Sequence, residues 1–335
     1  MADYIIMSGN APEHYFYRSG IYMKRRSFTG VWQDMTAVVA GGRDGFSVYR
    51  SKDGNVHLIC VDHSGNMIYA ASSAGEWKKY VISKLNSDIS VSEMRLYGIR
   101  GRLNLLYSAI YNGENLLVHC ILGDHAKPST VDTLESPHFF VKGDKVYYTN
   151  ANGVLGFVDL SDEKPSVFTP VYEDAHFGTV YDIDGKERIL FARNSSVFLD
   201  GQEIAHDTHI EMPVLVSVKD KFYVMWKNSG FVRYSVSIDC KRFGQVRRFM
   251  TSGRSMKLYS VQKGNEFSHY YGYDIQNDFV LLGNPEIFEV TEHYSLPTPL
   301  ELEKVKNMLN KTERDISEAK KELARLGKLL GTLSK

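Results

Sequence analysis

Five residues of two types recur in one setting. Arg43 in GGRDGF, His138 in ESPHFF, His176 in EDAHFG, His209 in DTHIEM and Arg254 in SGRSMK each stand just ahead of an apolar, aromatic-rich run. Guanidinium and imidazole groups donate hydrogen bonds and carry or can take positive charge. Gathered by a fold, with Glu173, Asp174 and Asp207 close in sequence, they form a partly basic ring suited to an anionic or sugar ligand. The same groups also serve to bond backbone carbonyls of neighbouring elements, and the residues leave both readings open.

Other chemistry finds less support. GxSxG, GxxxxGK[ST] and HExxH do not occur. DIDG at Asp182 resembles the start of a calcium loop but lacks the downstream ligands, and reads as a hairpin turn. His206 and His209 in HDTH are three apart in a loop, which fixes no common face for a metal. No metal site and no cofactor are expected.

The elements that must position the five residues come as a repeat. A Gly- or Asp-containing turn leads into an apolar run in SKDGNVHLICV, RGRLNLLYSAI, KGDKVYYTN, IDGKERILFA, VKDKFYVMW and QKGNEFSHYYGY, and near the N-terminus in SGNAPEHYFY. The mean period is about 42 residues, the propeller range. Second turns follow, among them HSGN, YNGEN, NANG and KNSG. Asn and Gly recur there because tight hairpins need positive φ, which costs these residues least. A third run and often a weaker fourth complete each unit.

One four-stranded unit (A to D) buries too little to stand alone, so the units must pack face to face in a ring. The fold class is therefore all-β: a β-propeller of seven four-stranded blades, with six as the rival because the unit after Ile183 is short, followed by a C-terminal α-helical coiled coil. The connections from D to the next A surround one mouth of the ring, which is where the five basic residues belong. The B–C turns bring Tyr111, Trp226 and Tyr271 to or near that face, as sugar-stacking rings or as core.

Two short segments, SFTGVW from Ser27 and SSAGEW from Ser72, resemble the Asp-box turns of sialidase-like propellers, and SVSIDCKRFG, with Ser237 and Asp239, resembles a further degenerate copy. The first two lack the Asp found two residues after the Ser in that family. Such turns are structural there, so the resemblance implies stapled C–D corners. A sialidase-like activity would also need three arginines on one anion, a Tyr–Glu nucleophile pair and an acidic donor, a set that the sequence does not place. Beyond these turns the chain resembles an uncharacterised bacterial propeller family, which implies a fold and no activity.

From Thr298 the texture changes. Thr298 is placed as an N-cap, Pro299 as the first helical residue and Glu301 as the capping-box partner. One seam row is Leu302, Leu309, Ile316, Leu323 and Leu330; the other is Val305, Thr312, Ala319, Leu326 and Leu333. This heptad pattern predicts a coiled coil over residues 298–335, beyond a propeller over 1–297. A helix with so narrow an apolar seam needs a partner, and a second copy supplies one.

The 335 residues carry 40 Lys and Arg against 40 Asp and Glu, a formal net charge of zero, so no overall field favours nucleic acid or an anionic membrane. The N-terminal segment has no signal-peptide pattern and no apolar run is long enough to span a bilayer, which places the chain in the cytoplasm. Cys60 and Cys120 sit in apolar runs and read as buried thiols.

The expected function is a non-catalytic binding or scaffold propeller, self-associated through its tail, with a protein or glycan as ligand. The alternative is a multivalent lectin-like protein, and a glycosidase comes last. Light scattering checks the tail: the full chain is expected to be oligomeric and a version stopped at Pro297 monomeric.

Overall fold

The computed structural model describes residues 3–7, 11–27, 31–73, 75–123, 127–161, 164–249, 255–275 and 278–283, together with Ile316 and Lys320. The chain separates into two compact units, Met1–Glu289 and Val290–Lys335. In the second, Ile316 and Lys320 are helical and Ile316 is 51 % exposed. The rest of the predicted heptad seam lies outside the described residues.

The first unit is built of antiparallel meanders. The first comprises β1 (Asp3–Ile6), β2 (Glu13–Tyr17), β3 (Ile21–Arg25) and β4 (Thr36–Val39). The second comprises β5 (Gly42–Arg50), β6 (Val56–Asp62), β7 (Asn66–Ser73) and β8 (Glu76–Lys84). Then come β9 (Ser90–Ile99), β10 (Arg102–Tyr111), β11 (Glu114–Ile121) and the long β12 (Ser129–Lys142), followed by β13 (Lys145–Asn150), β14 (Val154–Asp159) and β15 (Thr169–Glu173).

Two further meanders are β16 (His176–Ile183), β17 (Lys186–Arg193), β18 (Ser196–Leu199) and β19 (Gln202–His206), then β20 (Glu211–Val218), β21 (Lys221–Asn228), β22 (Phe231–Ser237) and β23 (Arg247–Arg248). The last group is β24 (Lys257–Lys263), β25 (Glu266–Ile275) and β26 (Asp278–Leu281).

β12 belongs to two meanders. Its first part pairs with β11 and its last part with β13, with a shift of register between Leu134 and Phe139 that contains Pro137. Proline cannot donate to a ladder, so it sits where pairing changes partner. At the other junction β1 pairs in parallel with β24, Asp3 opposite Tyr259 through Ile6 opposite Gln262.

Each meander packs on the next: β1 on β5, β5 on β9, β12 on β16, β16 on β20 and β20 on β25. With β24 against β1 the succession returns to its start. This is an all-β propeller with multiple four-stranded sheets.

The turn chemistry is as the sequence implies. Asn112 and Gly113, with φ of 50° and 83°, form the whole loop between β10 and β11. Asp184 and Gly185, at 52° and 71°, do the same between β16 and β17, so DIDG is a hairpin turn. Positive φ at both central residues is the type I′ signature that matches strand twist. Between β3 and β4 the Val31 N–H donates to Ser27 Oγ at 3.1 Å, and between β22 and β23 the Asp239 carboxylate accepts from the N–H groups of Lys241 and Arg242.

The core fills the spaces between meanders. Tyr4, Tyr15 and Ile21 of the first pack on Phe46, Leu58 and Cys60 of the second, and Leu190 and Val197 of the fifth pack with Val224 and Trp226 of the sixth. Cys60, Cys120 and Cys240 are buried free thiols, and burial pushes Cys60 up to about 12.

Trp226 is fully buried. Its indole N–H donates to Asp207 Oδ2 at 2.8 Å, and Asn228 donates to the other oxygen. Asp207→Ala strands both donors in a dry interior, and unfolding in urea is expected to show a loss of about 3 kcal/mol.

Candidate ligand cavity

The first strand of each later meander contributes its opening half to a central cavity of about 540 Å³. Phe46 comes from β5, Glu93, Met94 and Arg95 from β9, His138 from β12, Phe177 from β16, Glu211 and Met212 from β20, and Lys257 from β24. Lys227 and Tyr271 reach it from second strands. A recess of about 20 Å³, room for about one water molecule, continues inward to Phe140 and His269.

The polar centre is Glu93. Its Oε1 lies 2.6 Å from Arg95 Nη2 and its Oε2 is 3.1 Å from His138 Nδ1. A carboxylate only accepts, so His138 carries its proton on Nδ1 and leaves Nε2 to its other side. Arg95 Nη1 donates to Tyr4 Oη at 2.7 Å and to the Met94 carbonyl at 3.0 Å. Burial raises the Glu93 carboxyl, but Arg95 and the hydrogen bond from His138 outweigh it and leave it below the ordinary value. The other charges are paired too: Lys257 contacts Asp3 and Asp274 at 2.6 and 2.7 Å, and Lys227 lies 3.4 Å from Glu211.

Of the four described residues among the five singled out by position, only His138 lines this cavity. Arg43 is exposed and donates to the His63 carbonyl at 3.2 Å, the carbonyl-bonding role. His176 Nδ1 meets Glu135 Oε2 at 2.7 Å, joining adjacent meanders. His209 is exposed ahead of β20, and Arg254 lies outside the described residues.

Among the aromatics, Tyr111 is 42 % exposed, whereas Trp226 and Tyr271 are core at 0 % and 2 %. Both belong to second strands at the face packed on a neighbouring meander, and Tyr271 Oη donates to the Met212 carbonyl at 2.8 Å.

Sequence reasoning missed Glu93 and Arg95. Their signal is two opposite charges two apart in SVSEMRLYG, an otherwise strand-like run, which the period of two places on one face.

A second constellation carries no activation. Ser51 Oγ lies 2.8 Å from His57 Nε2, and His57 Nδ1 is 2.7 Å from Tyr69 Oη. Ser51 also touches the Asp53 carboxylate, which only accepts and which that bond holds below its ordinary value. The Ser51 proton therefore points at Asp53, Nε2–H donates to Ser51, and Tyr69 donates to Nδ1. The imidazole has no lone pair facing the hydroxyl, so this is a turn staple rather than an activated nucleophile.

No protein-family profile matches the chain, and no curated protein sequence does. Among solved structures it is similar to the fungal lectin of Aleuria aurantia, a six-bladed β-propeller, with TM-score 0.45 and 8 % identity over 83 % of this chain and 88 % of that one. It is also similar to AofleA of Arthrobotrys oligospora, with TM-score 0.43 and 12 % identity over 84 % and 86 %. Prolyl oligopeptidase B of Galerina marginata gives 0.48 and 12 % over 81 % of this chain and 46 % of that one. These likenesses concern strand arrangement only.

His269, beneath the cavity, sets a pH dependence. Burial, reinforced by Arg95 and opposed by Glu93, lowers it from 6.5 to about 3, and its Nδ1 is 3.1 Å from Ser260 Oγ. Above pH 6.5 the ring is neutral folded or unfolded. Below it the unfolded chain takes a proton that the folded chain refuses until about pH 3, so stability falls through that window. Between pH 6.5 and 5 this costs about 1.5 kcal/mol. Urea unfolding of His269→Gln is expected to show that part of the pH profile flattened.

Proposed function

We propose that the chain is a non-catalytic, lectin-like propeller of seven blades, whose central cavity binds a neutral, polyhydroxylated ligand such as a sugar of a glycan. One observation carries the reading. The cavity is of small-molecule size, and each charge described in it has a partner of opposite sign, within the lining for Glu93, Arg95, Glu211 and Lys227 and just behind it for Lys257. An anion would have to displace Glu93 from Arg95 or Asp3 from Lys257. A polyol brings no charge. Its hydroxyls both donate and accept, so they add to carboxylate, ammonium and imidazole groups without breaking the pairs. Phe46, Met94, Met212 and Phe177 offer apolar surface for the C–H face of such a ligand.

The seven-blade count rests on the succession of first strands β1, β5, β9, the second part of β12, β16, β20 and β24. Self-association through residues 298–335 would display several cavities together, and linked weak sites gain about 10²–10⁴ in avidity without new contacts. Among the described residues no helix is long and apolar enough to cross a membrane.

A glycan array read with the full chain, the version stopped at Pro297 and His138→Ala tests the proposal. Selective binding is expected from the full chain, weaker binding from the shortened one, and a loss of at least about tenfold in His138→Ala at a temperature where circular dichroism shows that variant folded. Silence on every glycan would reject the lectin-like reading.

A further inference from the structure

The cavity is open at one end and closed at the other. Three of the strands that begin around it, β5, β9 and β12, end against a single hairpin, the turn joining β24 to β25. Gln262, at the end of β24, clamps the end of β5: its Oε1 accepts from the Arg50 N–H and its Nε2 donates to the Arg50 carbonyl, both at 2.7 Å. Asn265 Oδ1 accepts from Tyr49 Oη at 3.1 Å.

Phe267 then sets its ring among three others, with centroids 6.2 Å from Tyr4, 6.4 Å from Tyr49 and 5.4 Å from Tyr97. Those rings come from β1, β5 and β9. On the remaining side Lys142, at the end of β12, pairs with Glu266 and with Asp182 of β16. One turn thus reaches across to the ends of β1, β5, β9 and β12, and makes a floor. At the opposite end the side chains of Glu211, Lys227 and His138, which line the cavity, are 54 %, 36 % and 38 % exposed.

We infer that this cup recognises the free end of a glycan and not its interior, an inference that rests on the carbohydrate reading above. A sugar inside a chain has a neighbour on each side and needs two ways out of its site. A blind cavity provides one. A terminal sugar enters with its free hydroxyls toward Glu93 and Arg95, and its single linkage leaves past Glu211 and Lys227.

The test is an array presenting each sugar both as the terminal residue and inside a linear chain, read with the full chain and with His138→Ala. Binding is expected only where the recognised sugar is terminal. Extension by one residue should weaken it at least about tenfold, and His138→Ala should reduce terminal binding. Equal binding to the internal form would overturn end recognition and leave the carbohydrate reading intact. Terminal binding untouched by His138→Ala would place recognition elsewhere on the molecule and overturn the assignment to this cup. Binding to no glycan at all would overturn both.

Discussion

The ring depends on one short backbone seam. Between most neighbouring meanders the described hydrogen bonds have a side chain on at least one side, because each sheet spends its backbone hydrogen bonds within itself. At the junction of the last group with the first, four residues of β1 lie parallel to β24 and exchange backbone hydrogen bonds. That seam is also electrostatically loaded. Asp3 is buried, with Lys257 at 2.6 Å and His14 at 2.9 Å. Burial raises the Asp3 carboxyl, and these two partners more than offset it, so its pKa ends below the ordinary value. A buried carboxylate that lost the Lys257 ammonium would be left largely uncompensated, the costly case for an ion in a dry interior.

Lys257 stands both in this seam and in the wall of the cavity, so closure and cavity share a side chain. The same economy appears below: Tyr4 belongs to β1, receives the hydrogen bond of Arg95 and touches the Phe267 ring. The polar centre is thus held by residues whose positions are fixed by ring closure. A cavity wall held in this way is preorganised by the fold itself.

Much of the architecture was legible in the chain because turns and alternation are local properties. Asn112–Gly113 and Asp184–Gly185 announce their conformation in two residues, and VHLICVD announces its two faces in seven. The site was less legible. Aligning the units pointed to their connections and so to Arg43, His176 and His209, which lie outside the cavity lining, while the groups that converge sit within strands. Whether a charge in a strand faces solvent or an axis depends on which edge of the sheet is innermost, and that is settled by packing of distant segments. Of the two readings open for Trp226 and Tyr271, the core one holds, because nearness to a turn says nothing about which face a neighbouring sheet covers.

The shared strand β12 has a consequence for how such a chain can change. Propellers are built of repeated units, and a unit joined to its neighbours by loops can be duplicated, lost or exchanged by recombination within those loops. Between the third and fourth units no loop intervenes. The outer strand of one runs on, through Pro137, as the inner strand of the next, so a crossover there would have to cut a hydrogen-bonded ladder. A rearrangement that kept this ladder whole would have to move the two units together.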